Sequence, residues 1–105
     1  MQVLFKSRHP QAIDLRALTE RRVRFVLRRL GWLVPRAEVQ MSDVIGPRGG
    51  IDKVCRVEVV GQGWTVRVGQ AGSDVVSALN RAVDRAGQSV ARELGRQRQG
   101  LRKAS

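Results

Sequence analysis

The sequence predicts an α+β (α/β) two-layer sandwich of order β-α-β-β-β-α, a four-stranded sheet with two helices packed on one face. Three observations predict it. Two long stretches repeat their apolar residues every three or four positions, one early and three later stretches alternate apolar with polar residues, and glycine or proline stands at most of the junctions between them. At 105 residues, 42% of them hydrophobic, the chain is long enough for one buried core and too short for two, so a single domain over 1–105 is expected.

Taken in order, Gln2 to Arg8 alternate and read as a short strand that Pro10 ends. Asp14 is a plausible N-cap for the next element. From Leu15 to about Leu30 the apolar residues Leu15, Leu18, Val23, Val26, Leu27 and Leu30 keep a 3.6 period, which predicts an amphipathic helix closed by Gly31. After Pro35 the period drops to two: Ala37, Val39 and Met41 face one way, Glu38, Gln40 and Ser42 the other. A glycine-rich interval follows. Two further alternating runs then flank Gly61, Gln62 and Gly63 as a hairpin, with Cys55, Val57 and Val59 on the same side as Trp64, Val66 and Val68, and with Arg56, Glu58, Thr65 and Arg67 on the opposite side. One sheet face is therefore apolar and covered, the other polar and wet. The last element is a long helix capped by Ser73 or Asp74, its apolar face carried by Val76, Leu79, Val83, Ala86, Val90 and Leu94. Residues from roughly 97 to 105 are expected to form a flexible basic tail, since Gly95, Gly100 and crowded positive charge weaken an isolated helix.

Charge points to function. Lys and Arg total 20 against 9 Asp and Glu, a net charge of +11 that predicts a polyanionic partner. Most of the cations are arginines, whose planar fork pairs with phosphate and stacks on bases, which favours nucleic acid. At about 100° per residue, Arg81, Arg85, Arg92 and Arg96 form a stripe opposite the apolar face of the second helix, which Lys103 would extend. Like-charge pairs at i, i+4 are mildly destabilising unless something anionic lies across them. The first helix repeats the feature, with Arg21, Arg24 and Arg28 on its outer side and Arg22 and Arg29 at the margin of the apolar arc. Two such helices side by side make one extended basic surface suited to RNA backbone. With few aromatics and no tyrosine, base stacking on the sheet is not expected, and recognition should rest on backbone and shape.

Other chemistries find little support. No apolar run approaches the roughly 20 residues that span a bilayer, and the first ten residues lack the pattern of a signal peptide, so a cytoplasmic protein with no membrane partner is expected. One cysteine and one histidine exclude a metal site built from those ligands alone. The interval Asp43 to Cys55, DVIGPRGGIDKVC, lacks the G-x-x-x-x-G-K-[ST] spacing and leads into a strand, not a helix N-terminus, so it is not a nucleotide cradle. Cys55 falls on the inward face of its strand and reads as a small buried hydrophobe, and His9 as a surface residue. The acidic residues are scattered without the spacing of a catalytic cluster, so neither an enzyme, a cofactor nor a small-molecule substrate is expected.

The element order, the block G-P-R-G-G-x-D-K-x-C carried by Gly46, Pro47, Arg48, Gly49, Gly50, Asp52, Lys53 and Cys55, and the helix opening D-x-x-x-A-[LI]-[DN] at Asp74, Ala78, Leu79 and Asn80 together resemble the ribosome hibernation-promoting factors, also called ribosome-associated inhibitors or sigma-factor modulation proteins. The resemblance covers nearly the whole chain and is to the short form of the family. It implies a domain that binds ribosomal RNA of the small subunit near the decoding centre, occupies the path of mRNA and tRNA, and silences translation under starvation or in stationary phase. By position it implies RNA contacts from Arg22, Arg85, Arg92 and Arg96, with Arg48 and Lys53 in the structured loop as extra phosphate contacts. Two departures stand out. Val76 replaces an aromatic residue common in the first turn of the last helix, and arginine replaces the usual lysine. The chain stops soon after that helix, so the C-terminal dimerisation domain of the long members is not expected. The alternative is a general double-stranded RNA-binding module, which shares the order α-β-β-β-α; the extra first strand and the glycine-rich block argue against it.

Overall fold

The computed structural model describes residues 1–7, 12–45 and 49–104, with the side chains of 12, 13, 32 and 99–104 excepted. The elements are β1 (Gln2–Ser7), α1 (Ala12–Val26), a 3-10 turn (Gly31–Leu33), β2 (Arg36–Ile45), β3 (Ile51–Val60), β4 (Thr65–Gly72) and α2 (Val75–Ala104). This is the β-α-β-β-β-α order expected from the sequence, and the sheet is mixed with spatial order β1-β2-β3-β4. Because α1 intervenes, β1 runs parallel to β2, from Gln2 opposite Arg36 to Ser7 opposite Met41. The other pairs are antiparallel hairpins, with Val39 opposite Val57 and Val57 opposite Val68.

That register puts Ala37, Val39, Met41, Cys55, Val57 and Val59 on one face, where all are buried in a single cluster with Val23 of α1, Leu27 just after it, and Ala78, Leu79, Ala82, Val83, Ala86 and Val90 of α2. Both helices therefore lie on the same side of the sheet. Each large aliphatic in such a core contributes about 2–5 kcal/mol relative to alanine. Trp64 closes the β3–β4 turn. Its ring folds over Gly61 so closely that a Cβ there would overlap it, the Gly61 amide donates to the Trp64 carbonyl at 3.0 Å, and Gly63 takes φ +78°.

Several boundaries differ from those read in the sequence. Asp14 is the third residue of α1 and not its cap, because Ala12 and Ile13 carry nothing that stops a helix and the coil of α1 runs back through them. The acidic side chain still sits in the first turn, where the helix dipole favours it. At the other end α1 stops a turn early. Its last i to i−4 bond is Leu27 N to Val23 O at 3.0 Å; Arg28, Leu30, Leu33 and Val34 then donate to the carbonyls three residues back. The Arg28 guanidinium also donates to the Phe25 carbonyl at 2.8 Å, satisfying a helix-end acceptor. Strands β2 and β3 reach further than expected, to Ile45 and back to Ile51, leaving Val44, Ile45 and Ile51 exposed beyond the helices. Val76, placed on the apolar face by its spacing, is 40% exposed. In the first turn of α2 the helix rests on β4 through Ala78, over Gly72, and Val75 packs on the core in place of Val76. Among the described residues α2 buries no side chain beyond Val90, and Leu94 is the last to pack partly on the core, although the backbone stays helical to Ala104.

Asp74 caps α2. Its carboxylate accepts from the Ser77 amide at 3.1 Å and from the Ser77 hydroxyl at 3.0 Å, and these bonds hold its pKa below the ordinary aspartate value. With a folded-state pKa below the unfolded one of about 3.9, the contribution of the charge is complete above that value and is lost as pH falls through the folded value. Thermal melts of wild type and Asp74→Asn should therefore differ at neutral pH and converge on acidification below about pH 4; a difference that grows with acid contradicts the assignment.

The two helices cross where Val26 meets Gly87, and a Cβ at Gly87 would sit 2.5 Å from Val26 Cγ1. Gly87→Ala should cost about 1–3 kcal/mol through overpacking, despite the better helix propensity of alanine. Gly95→Ala, where a Cβ meets nothing within 4 Å, should instead stabilise the free protein by up to about 1 kcal/mol. Denaturant midpoints of the two variants give opposite signs if the crossing is as described.

Candidate nucleic-acid interface

The arginines of α2 stand on the side turned away from the sheet. Arg81, Arg85, Arg92 and Arg96 are all exposed, opposite the buried Leu79, Val83, Ala86 and Val90. Arg96 is within 3.5 Å of Glu93; Arg81, Arg85 and Arg92 have no ion-pair partner among the described residues. The stripe thus carries positive charge that the protein itself leaves largely uncompensated.

On α1 and in the turn that follows it, the five candidate arginines divide by direction. Arg22 turns to α2 and pairs with Asp84 at 3.2 Å, half-buried, with its Nε shielded and unpartnered among the described residues. Arg24 turns the other way, to Glu20 at 3.1 Å and to the Met1 carbonyl at 3.1 Å beside β1. Arg21 lies exposed between these directions, Arg28 and Arg29 lie exposed in the turn beyond Val26, and among the described residues Arg21 and Arg29 have no ion-pair partner. Arg22 therefore ties the helices together, while Arg21, Arg28 and Arg29 are left exposed to solvent. The pair with Asp84 is not legible in the sequence, where the two residues stand 62 apart.

The open sheet face differs in its electrostatics. Lys6 pairs with Glu38 at 3.2 Å, and Glu58 receives Arg67 at 2.9 Å and Arg36 at 3.7 Å, so most of its cations are matched by carboxylates. Lys53 belongs to the other face, that of Met41 and Cys55, where it is paired with Asp43 at 3.0 Å across the β2–β3 ladder. Arg48 lies outside the described residues. Gly49, in the same loop, has φ +82°, the left-handed conformation expected of its glycines.

One exposed residue escaped the sequence reading. Phe25 is 56% exposed on the outer arc of α1, and the Arg28 guanidinium lies 4.3 Å from its ring centroid. The signal was present as an aromatic set in RRVRFVLRR, but its helical position next to Val26 reads equally as the edge of the apolar face.

No sequence-family model matches this chain, and no curated protein matches it by sequence. Solved structures do match its fold. A ribosomal subunit interface protein from Coxiella burnetii superposes with a TM-score of 0.72 at 12% identity, over 90% of this chain and 99% of that one. The Protein Y N-terminal domain from Thermus thermophilus superposes with a TM-score of 0.67 at 23% identity, over 88% of this chain and 98% of that one.

Among the described residues no three His, Cys, Asp or Glu side chains converge as a metal site would require. Cys55 is fully buried in the core, and desolvation pushes its thiol up to about 12. Since the thiolate is the nucleophile, a thiol reagent at pH 8 should label the folded protein only at the rate of unfolding and the denatured protein at once. Rapid labelling without denaturant would place Cys55 at the surface.

Proposed function

We propose that this protein is a ribosome-directed translation silencer that binds RNA of the small ribosomal subunit near the decoding centre, in the cytoplasm, by contact and without catalysis. The observation that carries the reading is the distribution of ion pairs: α1, the turn after it and α2 hold exposed arginines of which Arg21, Arg29, Arg81, Arg85 and Arg92 have no ion-pair partner among the described residues, whereas on the open sheet face Lys6, Arg36 and Arg67 are paired with carboxylates. Such a surface attracts a polyanion whose phosphates repeat along its length. The fold likeness to a ribosomal subunit interface protein and to Protein Y supports the ribosome as the source of that polyanion. Arg21, Arg28, Arg29, Arg81, Arg85, Arg92 and Arg96 are the proposed phosphate contacts, and Arg22 is assigned to holding the helices in register, with an exposed edge left to meet RNA. Arg24, Lys53 and Arg48 are secondary contacts in this reading.

The test is co-sedimentation of the protein with intact ribosomes in excess unrelated duplex RNA, wild type against the triple variant Arg85→Glu, Arg92→Glu and Arg96→Glu. Saturable binding of one copy per ribosome that survives the competitor and disappears in the variant is the expected result. Affinity should fall with salt at a log-log slope of about 0.7 to 0.9 per phosphate engaged. Binding that the duplex titrates away would leave a general double-stranded RNA-binding module in place of a ribosome-specific one.

A further inference from the structure

Phe25 has no evident task in the fold. It leaves more than half of its surface in water, at the last turn of α1, while its neighbours Val26 and Leu27 are packed on the core. Its position around the helix is set by residues whose contacts are known. Arg22 reaches across to α2 and Arg24 reaches back to Met1, so Phe25 and Arg21 fall on the arc between them that faces outward. Arg28 is held over the ring at 4.3 Å by its own bond to the Phe25 carbonyl at 2.8 Å. The pair is thus a preassembled cation–π stack, with its ring area exposed and with Arg21 one turn back and Arg29 just beyond.

We infer that Phe25, backed by Arg28, is a stacking platform for one unpaired RNA base, with Arg21 and Arg29 placed to take the flanking phosphates. An exposed aromatic gains little from water and much from a base, whose π-face it meets without regard to sequence. Charge complementarity selects the occupant: an apolar peptide would have to lie among three arginines, whereas a nucleotide supplies both the ring and the anion. A base inside a duplex is already stacked, so the platform adds preference for unpaired over paired RNA, which the arginine stripes alone do not give. The inference rests on the RNA-facing reading above and goes beyond it by naming the element of RNA that α1 takes.

The experiment compares wild type, Phe25→Leu and Phe25→Trp for binding to a labelled short oligoadenylate and to a duplex of the same length, at several salt concentrations. Phe25→Leu should weaken single-strand binding about tenfold, leave duplex binding within about twofold, and leave the salt slope unchanged, because stacking is lost and no charge is. Phe25→Trp should restore or exceed wild-type affinity for the single strand. Equal affinity of wild type and Phe25→Leu for both RNAs overturns the platform while leaving the RNA-facing reading intact. Equal loss on both RNAs, with a lowered melting temperature, overturns it as well and makes Phe25 a support for α1. Failure of wild type to bind the single strand overturns the platform, while the ribosome reading stands or falls on the co-sedimentation experiment alone.

Discussion

A sheet with only one apolar face has to bury that face with whatever else the chain provides, and here that means two helices lying side by side on it. Alternation in β2, β3 and β4 puts a row of valines on one side, from Val39 through Val57 to Val68. Neither helix can cover so wide a surface alone. They must also approach each other, which they do where Gly87 leaves room for Val26 and where Arg22 spans to Asp84. The half-exposed ion pair is worth at most about 1 kcal/mol, so packing, and not charge, sets the spacing. Everything proposed for function depends on that arrangement: with the inner arcs committed to the core, only the outer arcs of α1 and α2 are left to solvent.

Much of this was legible because it depends on periodicity. Strand faces, the inward Cys55 and the core stripe of α2 from Leu79 to Val90 all follow from a period of two or 3.6. What escaped depends on local competition or on distance in the chain. The end of α1 is set by Arg28 taking the Phe25 carbonyl and by a run of tight turns, neither of which alters the spacing of apolar residues. Val76 obeys the helical period and is nevertheless exposed, since the period says nothing about where the sheet beneath the helix ends. The candidate arginines were visible as a set, but their division into Arg22, which binds the helices together, and Arg21, Arg28 and Arg29, which face outward, depends on partners brought close only by folding.

That division matters for how the surface would work. Arginines that already hold a carboxylate must give it up, or share it, to bind phosphate, and the gain is reduced accordingly. Those without such a partner begin from water and self-repulsion, so an arriving anion removes an unfavourable term as well as adding a favourable one. Arg81, Arg85 and Arg92 belong to the second kind, at intervals of four and seven residues along one side of a helix of 30 residues, about 45 Å long. Rigid spacing on such a rod presents several charges in fixed geometry, which lowers the entropic cost of engaging each successive phosphate.

The same logic explains why the charge lies on the helices and not on the open sheet face. On the sheet, neighbouring strands bring side chains within about 5 Å of each other, so unbalanced cations there would oppose the pairing that holds the fold; Glu38 and Glu58 pair with Lys6, Arg36 and Arg67, and Arg56 alone of that face's cations has no ion-pair partner among the described residues. Along a helix, like charges at i, i+4 cost only about 0.2–0.5 kcal/mol each, and water screens much of that. A basic surface is therefore least costly to the free protein on the solvent side of α1 and α2. Beyond Leu94, among the described residues, α2 has no core to hold it, and its positive charge there acts on the stability of the helix alone. An anion bound along that segment would relieve the repulsion and favour the helical backbone, so that binding and helix formation reinforce each other at the end of the molecule furthest from its core.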